Sequence, residues 1–247
     1  MKLPGVRPSA TELRTRRPWL PLAVIALLAL PIVASAGQSA GESPLGSATA
    51  VSGSVGISFP IVVNTLNQEV NDDSFCSLQE AIFAANFDDN IAIDPADPTH
   101  FIVTACRKGS GDDIIQLPAG AVFQMGDIVA DPYNPLGPTA TPMVFTNITI
   151  EANGSQLERI GSQNIRAFAV GSASVDLSAA GSARVVSGTG ELTIKNAYIK
   201  GFKAKGGNGA GGGGGGLGAG GAIYLRGGKL TVERMHGLLG SSEPSSG

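Results

Sequence analysis

Ile148-Thr149-Ile150, Leu192-Thr193-Ile194 and Leu230-Thr231-Val232 repeat one apolar–Thr–apolar triplet, and their spacing decides the fold. In a strand, such alternation sends the two apolar side chains to one face and the threonine to the other. Ile148 and Leu192 lie 44 residues apart, twice 22, and Leu192 and Leu230 lie 38 apart, which is 22 plus 16. Residues 206–221, GGNGAGGGGGGLGAGG, form a 16-residue stretch with 12 glycines. Treated as an inserted loop, that stretch leaves a period of 22 throughout. About 22 residues fit one rung of a parallel β-solenoid, three short strands and three turns, with rungs about 4.8 Å apart. The expected class is therefore all-β. A β-sandwich with coincidental spacing is the competing architecture.

Outward from the triplets, strand signals recur at Ile57–Val63 (interrupted at Pro60), Ile114–Leu117, Val144–Ile150, Ala167–Val170, Arg184–Val186 and Ala222–Leu225. Each is a short β-branched run broken by Gly, Asn or Pro. One helix signal stands apart. Ser77-Leu78-Gln79-Glu80 is a capping box, in which Ser77 caps the first turn and Glu80 reaches back to the Ser77 amide. Leu78, Ala81, Ile82 and Ala85 then fall on one stripe, ending near Asn86 or Phe87. A solenoid needs its open end covered, and this short helix is the expected N-terminal cap. The segment 234–247 reads as a polar tail with no matching cap.

Residues 1–36 read as a signal peptide. A basic stretch with Lys2, Arg7, Arg14, Arg16 and Arg17 precedes the apolar run Leu20–Val33 and the small-residue site Ala34-Ser35-Ala36. That run has 14 residues, short of the roughly 20 needed to span a bilayer, so no stable membrane span is expected after cleavage. Residues 37–56 are small and polar without an apolar face, a flexible linker. Loss of the leader leaves 12 Lys and Arg against 19 Asp and Glu. Such an acidic chain argues against nucleic acid as a partner. Cys76 and Cys106, in an exported chain, read as one disulfide closing a loop of about 30 residues.

The stretch VNTLNQEVNDDSFCSLQEAIFAAN resembles the N-terminal module of bacterial CSLREA-domain proteins, whose hexapeptide stands here as Cys76-Ser77-Leu78-Gln79-Glu80-Ala81. The stretch Cys106–Gly120 is similar to the same family, second cysteine included. The resemblance covers roughly residues 60–125, within a module set at 57–125. It implies that residues 126–233 form a right-handed parallel β-helix, and that the protein is secreted or held at the bacterial cell surface, with the periplasm as the alternative. Gln79 departs from the family's arginine, so any ion pair made by that arginine is absent. The structural residues nominated are Cys76, Cys106, Ser77 and Glu80.

Catalytic chemistry finds little footing in the sequence. The acidic pairs Asp72-Asp73, Asp88-Asp89 and Asp112-Asp113 sit among Asn, Gly and Ser, the setting of solvated turns rather than of a calcium loop. His100 and His236 are the only histidines, and no G-x-S-x-G elbow is present. The glycine run lacks the Gly-Lys-Ser/Thr of a phosphate loop. No catalytic, cofactor or metal residue is nominated. The expected function is an exported, non-enzymatic β-helix protein, structural or adhesive, facing an extracellular polysaccharide or surface ligand. The alternatives are a β-helix polysaccharide lyase or hydrolase, and an incomplete fragment of a larger surface protein.

Overall fold

In a computed structural model, residues 59–206 and 218–243 are described. The expected leader (1–36), the linker (37–56), most of the glycine-rich stretch and residues 244–247 lie outside the described residues. Short β-branched runs between turn residues give many brief strands and one helix. In chain order these are β1 (Ile61–Val62), α1 (Leu78–Phe87), β2 (Ile91–Ile93), β3 (Phe101–Val103), β4 (Asp113–Gln116), β5 (Val122–Met125), β6 (Asn147–Glu151) and β7 (Gln156–Arg159). They continue with β8 (Phe168–Val170), β9 (Ser172–Asp176), β10 (Val185–Thr189), β11 (Glu191–Lys195), β12 (Tyr198–Lys205), β13 (Ile223–Leu225), β14 (Lys229–Glu233) and β15 (Gly237–Glu243). The described chain is mainly β, as expected.

Three parallel ladders organise these strands. One runs β1-β4-β6-β11-β14, a second runs β5-β7-β12-β15, and a third joins β8 to β13. A parallel bridge from Val144 to Val170 adds a further position to the third. The triplets that opened the sequence analysis lie side by side: Leu192 opposes Ile148 and Leu230, Thr193 opposes Thr149 and Thr231, and Ile194 opposes Ile150 and Val232. Side chains therefore line up in rows, because the period along a strand is two and the register is unshifted. Ile115, Ile150 and Ile194 form one inward row, each no more than 1% exposed.

The 44-residue interval is corrected by this pairing. Ile148 pairs directly with Leu192, so the chain returns to the ladder once in 44 residues, not twice. The difference is the antiparallel hairpin β9–β10, with Ser172 opposite Thr189 and Asp176 opposite Val185. Its exit is set by a close backbone approach: a Cβ on Gly190 would overlap the carbonyl oxygen of Val144. Nothing in the triplet spacing distinguishes such an excursion from a second turn of chain.

The tail is corrected too. Gly237–Glu243, expected within a polar tail, is a strand in parallel register with β12, Gly237 opposite Tyr198. The exposed N–H and C=O groups of β12 supply a template, and backbone pairing outweighs the weak strand preference of GLLGSSE.

Helix α1 begins where the capping box placed it and is buried throughout its ten residues. Leu78, Ala81, Ile82 and Ala85 pack into the core formed by Ile61, Ile115, Ile148 and Leu192. The opposite side is covered as well: Phe83 and Phe87 join Ile93, Met143 and Phe145 in a second cluster. Phe87 stacks on Phe83 and meets Phe101 of β3 edge-on, both at 5.6 Å between ring centroids. The helix is thus wedged between the ladders and the antiparallel hairpin β2–β3 rather than lying on a surface. Among the described residues no helix is long and apolar enough to cross a membrane.

Candidate functional site

The nominated residues meet at the start of α1. Ser77 Oγ accepts the Glu80 backbone N–H at 3.1 Å, and Glu80 accepts the Ser77 N–H at 2.8 Å, completing both halves of the box. The second Glu80 oxygen accepts from the Asn71 backbone N–H at 2.9 Å, and Ser77 Oγ donates to the Glu69 carbonyl at 2.6 Å. Burial pushes the Glu80 carboxyl above its ordinary value, while the Asn71 and Ser77 N–H groups hold it back down. Cys76, one residue before the cap, is bonded to Cys106, closing a sequence separation of 30 residues. Its backbone N–H donates to Asn64 Oδ1 at 2.7 Å. The helix start is therefore tied by hydrogen bonds to the segment after β1 and covalently to the segment between β3 and β4.

Two amides extend this junction. Gln79 Nε2 donates to the Ala140 carbonyl at 2.9 Å, although the residue is only 2% exposed. This uncharged amide binds a main-chain carbonyl rather than a charged partner. Its Oε1 is buried with no hydrogen-bond partner, and the residue lines a cavity of about 450 Å³ together with Val70, Pro95, Ile128 and Val129. Gln68 works as a strap: its oxygen accepts from the Gly126 and Asp127 N–H groups, and its nitrogen donates to the Asp127 and Ala140 carbonyls. The other side of this strap opens into a cleft of about 780 Å³ lined by Leu66, Asn67, Val122, Gln124 and Ile160. Apolar edges, amide side chains and Asp127 in one open cleft suit a polar ligand that carries no negative charge, such as one rich in hydroxyl groups.

Asp73, Asp88 and Asp89 take turn, cap and ion-pair duties, whereas Asp113, expected in a solvated turn, is a buried residue of β4, 3% exposed. Asp73 accepts the Phe75 N–H two residues on. Asp88 closes α1 in the left-handed region, with φ at 47°, and accepts the Gly111 N–H. Asp89 lies 3.2 Å from Lys108 Nζ. The structure brings Asp88-Asp89 and Asp112-Asp113 to one neighbourhood, since Asp88 and Asp112 both raise the Asp113 carboxyl. Desolvation is the larger cause, and together they push Asp113 up to about 6. Among the described residues no group of three His, Cys, Asp or Glu side chains could hold a metal ion. His100 pairs with Asp97 at 2.7 Å, and His236 stacks on Tyr198 with its Nε2 2.8 Å from Asn196 Oδ1.

Three further structural residues escaped the sequence reading. Asn86 donates to the Met143 carbonyl and accepts from the Phe145 N–H and the Thr146 hydroxyl. Arg166, 8% exposed, binds the Leu136, Ala219 and Gly220 carbonyls. Arg184 reaches the Phe87 and Asp88 carbonyls at the end of α1, where a cation also suits the helix dipole. Their partners lie far away in sequence, so only Asn86, polar inside an apolar helix, left a local trace.

Fold and site together define, among the described residues, a mainly β chain whose one α-helix is stapled by a disulfide and a capping box. No family model, curated protein or solved structure matches the chain.

Proposed function

We propose that this chain is an exported, right-handed parallel β-helix of the bacterial surface or surroundings, capped by a CSLREA-like module, with a structural or adhesive role. One observation carries the reading. The strands visit the three ladders in a fixed cycle: β6, β7 and β8, then β11, β12 and β13, then β14 and β15. A chain wound into stacked three-sided rungs follows that cycle. Parallel crossovers are right-handed in about 98% of cases, which supplies the hand. The hairpin β9–β10 is an excursion from that winding, and it packs Val175, Leu177 and Val186 against Phe83 and Phe87 of α1.

The capping module supports the same reading. An open end of stacked strands exposes apolar rows, and α1 buries Leu78 and Ile82 against them. For the ligand, the cleft beside Gln124 favours an extracellular polysaccharide, whose hydroxyls pair with amides and whose ring faces suit Val122 and Ile160. The test is a panel of neutral glucan and mannan polymers beside the anionic pectin, alginate and glycosaminoglycans, offered to the purified protein. Binding that weakens in Gln124→Ala, with no release of unsaturated or reducing ends, is the expected result. Release of such ends would replace this reading with a lyase or hydrolase.

A further inference from the structure

β14 ends the five-stranded ladder, and among the described residues no strand pairs with its outer edge. The inward row Ile150–Ile194–Val232 is dry at its first two positions and 45% exposed at Val232. Leu225, on the edge strand of the third ladder, is 42% exposed. An open edge with unpaired backbone groups and uncovered apolar side chains recruits another strand.

The outward face of β14 shows which strand fits. Its residues are Lys229, Thr231 and Glu233, each continuing a row of the ladder. In one row Glu191 stands beside Lys229. In the other, Glu151, Lys195 and Glu233 follow one another, and Lys195 Nζ lies 2.9 Å from Glu151. Both rows alternate in sign, one ending on a base and the other on an acid. The next strand must therefore offer an acid opposite Lys229 and a base opposite Glu233, five residues spanning the same length in the opposite sense.

We infer that β14 pairs antiparallel with β14 of a second copy of this chain, about a two-fold axis through Thr231. Lys229 then faces the second copy's Glu233, Glu233 faces the second copy's Lys229, and Thr231 faces itself. On the inward side, Leu230 faces the second copy's Val232, which closes the open row. Sign alternation continues unbroken through the junction in both rows. An in-register parallel arrangement would instead set Lys229 against Lys229 and Glu233 against Glu233. The contact is isologous and closes at two copies. It rests on ladder register and charge, not on any ligand.

Sedimentation velocity of the purified full chain across a dilution series reads the assembly directly. A concentration-dependent dimer is expected, weakened about tenfold or more by Lys229→Glu, which sets like charges opposite each other twice. Glu233→Lys is expected to weaken it similarly. An equimolar mixture of those two variants restores a heterodimer, because every facing pair is again opposite in sign. That rescue also separates lost pairing from lost folding. Thr231→Cys should form a disulfide-linked dimer on mild oxidation, whereas Gln116→Cys, in β4 and away from the β14 edge, should not. A monomer at all concentrations, a dimer indifferent to the charge reversals, or no cross-link at position 231 would overturn the inference.

Discussion

Asp113 offers the sharpest test of the packing. Its place in β4 puts it opposite Ile148 on the inward side of the ladder, where it is 3% exposed. Its carboxylate accepts from the Ser110 N–H at 2.9 and 3.2 Å, and Asp88 and Asp112 add repulsion. Raising this group from 3.8 to about 6 corresponds to a cost of about 3 kcal/mol once it is ionised. The folded state holds the proton more tightly than the unfolded chain. Stability from this group is therefore full below about pH 4, falls between about 4 and 6, and stays low above that window. Asp113→Asn removes the titration while keeping an acceptor for Ser110. Urea unfolding of both proteins at pH values from 4 to 8 gives the difference in free energy at each pH. That difference should shift in favour of the variant by about 2.5 kcal/mol between the two ends, since the unfolded group is already partly ionised at pH 4, whatever its constant offset. Using the difference cancels Glu80 and Asp131, which burial shifts in the same direction. A difference that stays flat across that range would refute the argument, because Asp113 would then be solvated and the register of β4 wrong.

The remaining tests probe the staple, the cap and the core. Replacing Cys76 and Cys106 together by alanine frees a 30-residue loop and should cost about 3–4 kcal/mol in urea unfolding; reductant should then leave the variant unchanged while destabilising the parent. Ser77→Ala removes the acceptor for the Glu80 N–H and the donor to the Glu69 carbonyl, so a loss of about 1–2 kcal/mol is expected by thermal denaturation. Ile194→Ala opens a cavity in the middle of an inward row, at an expected cost of about 2–5 kcal/mol; an effect under about 1 kcal/mol would show that the row is not packed as described.

Local rules reached some elements intact. The capping box located α1 because all its partners lie within four residues, and every backbone amide it satisfies belongs to the first turn. The triplets revealed β6, β11 and β14 because β-branched alternation is a property of each strand alone. The strands β5, β7, β9 and β12 carry polar or charged residues at exposed or half-buried positions and were missed, as were the three-residue strands β2 and β3 and the strand β15. Gln79, Gln68 and Asn86 bind carbonyls or amides of chain segments 57 to 72 residues away, which no local pattern announces.

By itself, the sequence determined the mainly β character of the described residues, the position and cap of α1, and the one cysteine pair available. Those follow from backbone propensity, caps and composition, which act over a few residues. Tertiary structure alone decided that 44 residues separate Ile148 from its partner Leu192, because a hairpin looks like any other alternating segment until it folds back on itself. It also decided that the helix is buried on both sides, that GLLGSSE is a strand, and that Asp113 points into an apolar row. In each case the deciding free energy comes from a surface or a hydrogen-bonding edge supplied by distant chain, and that surface does not exist before the fold does.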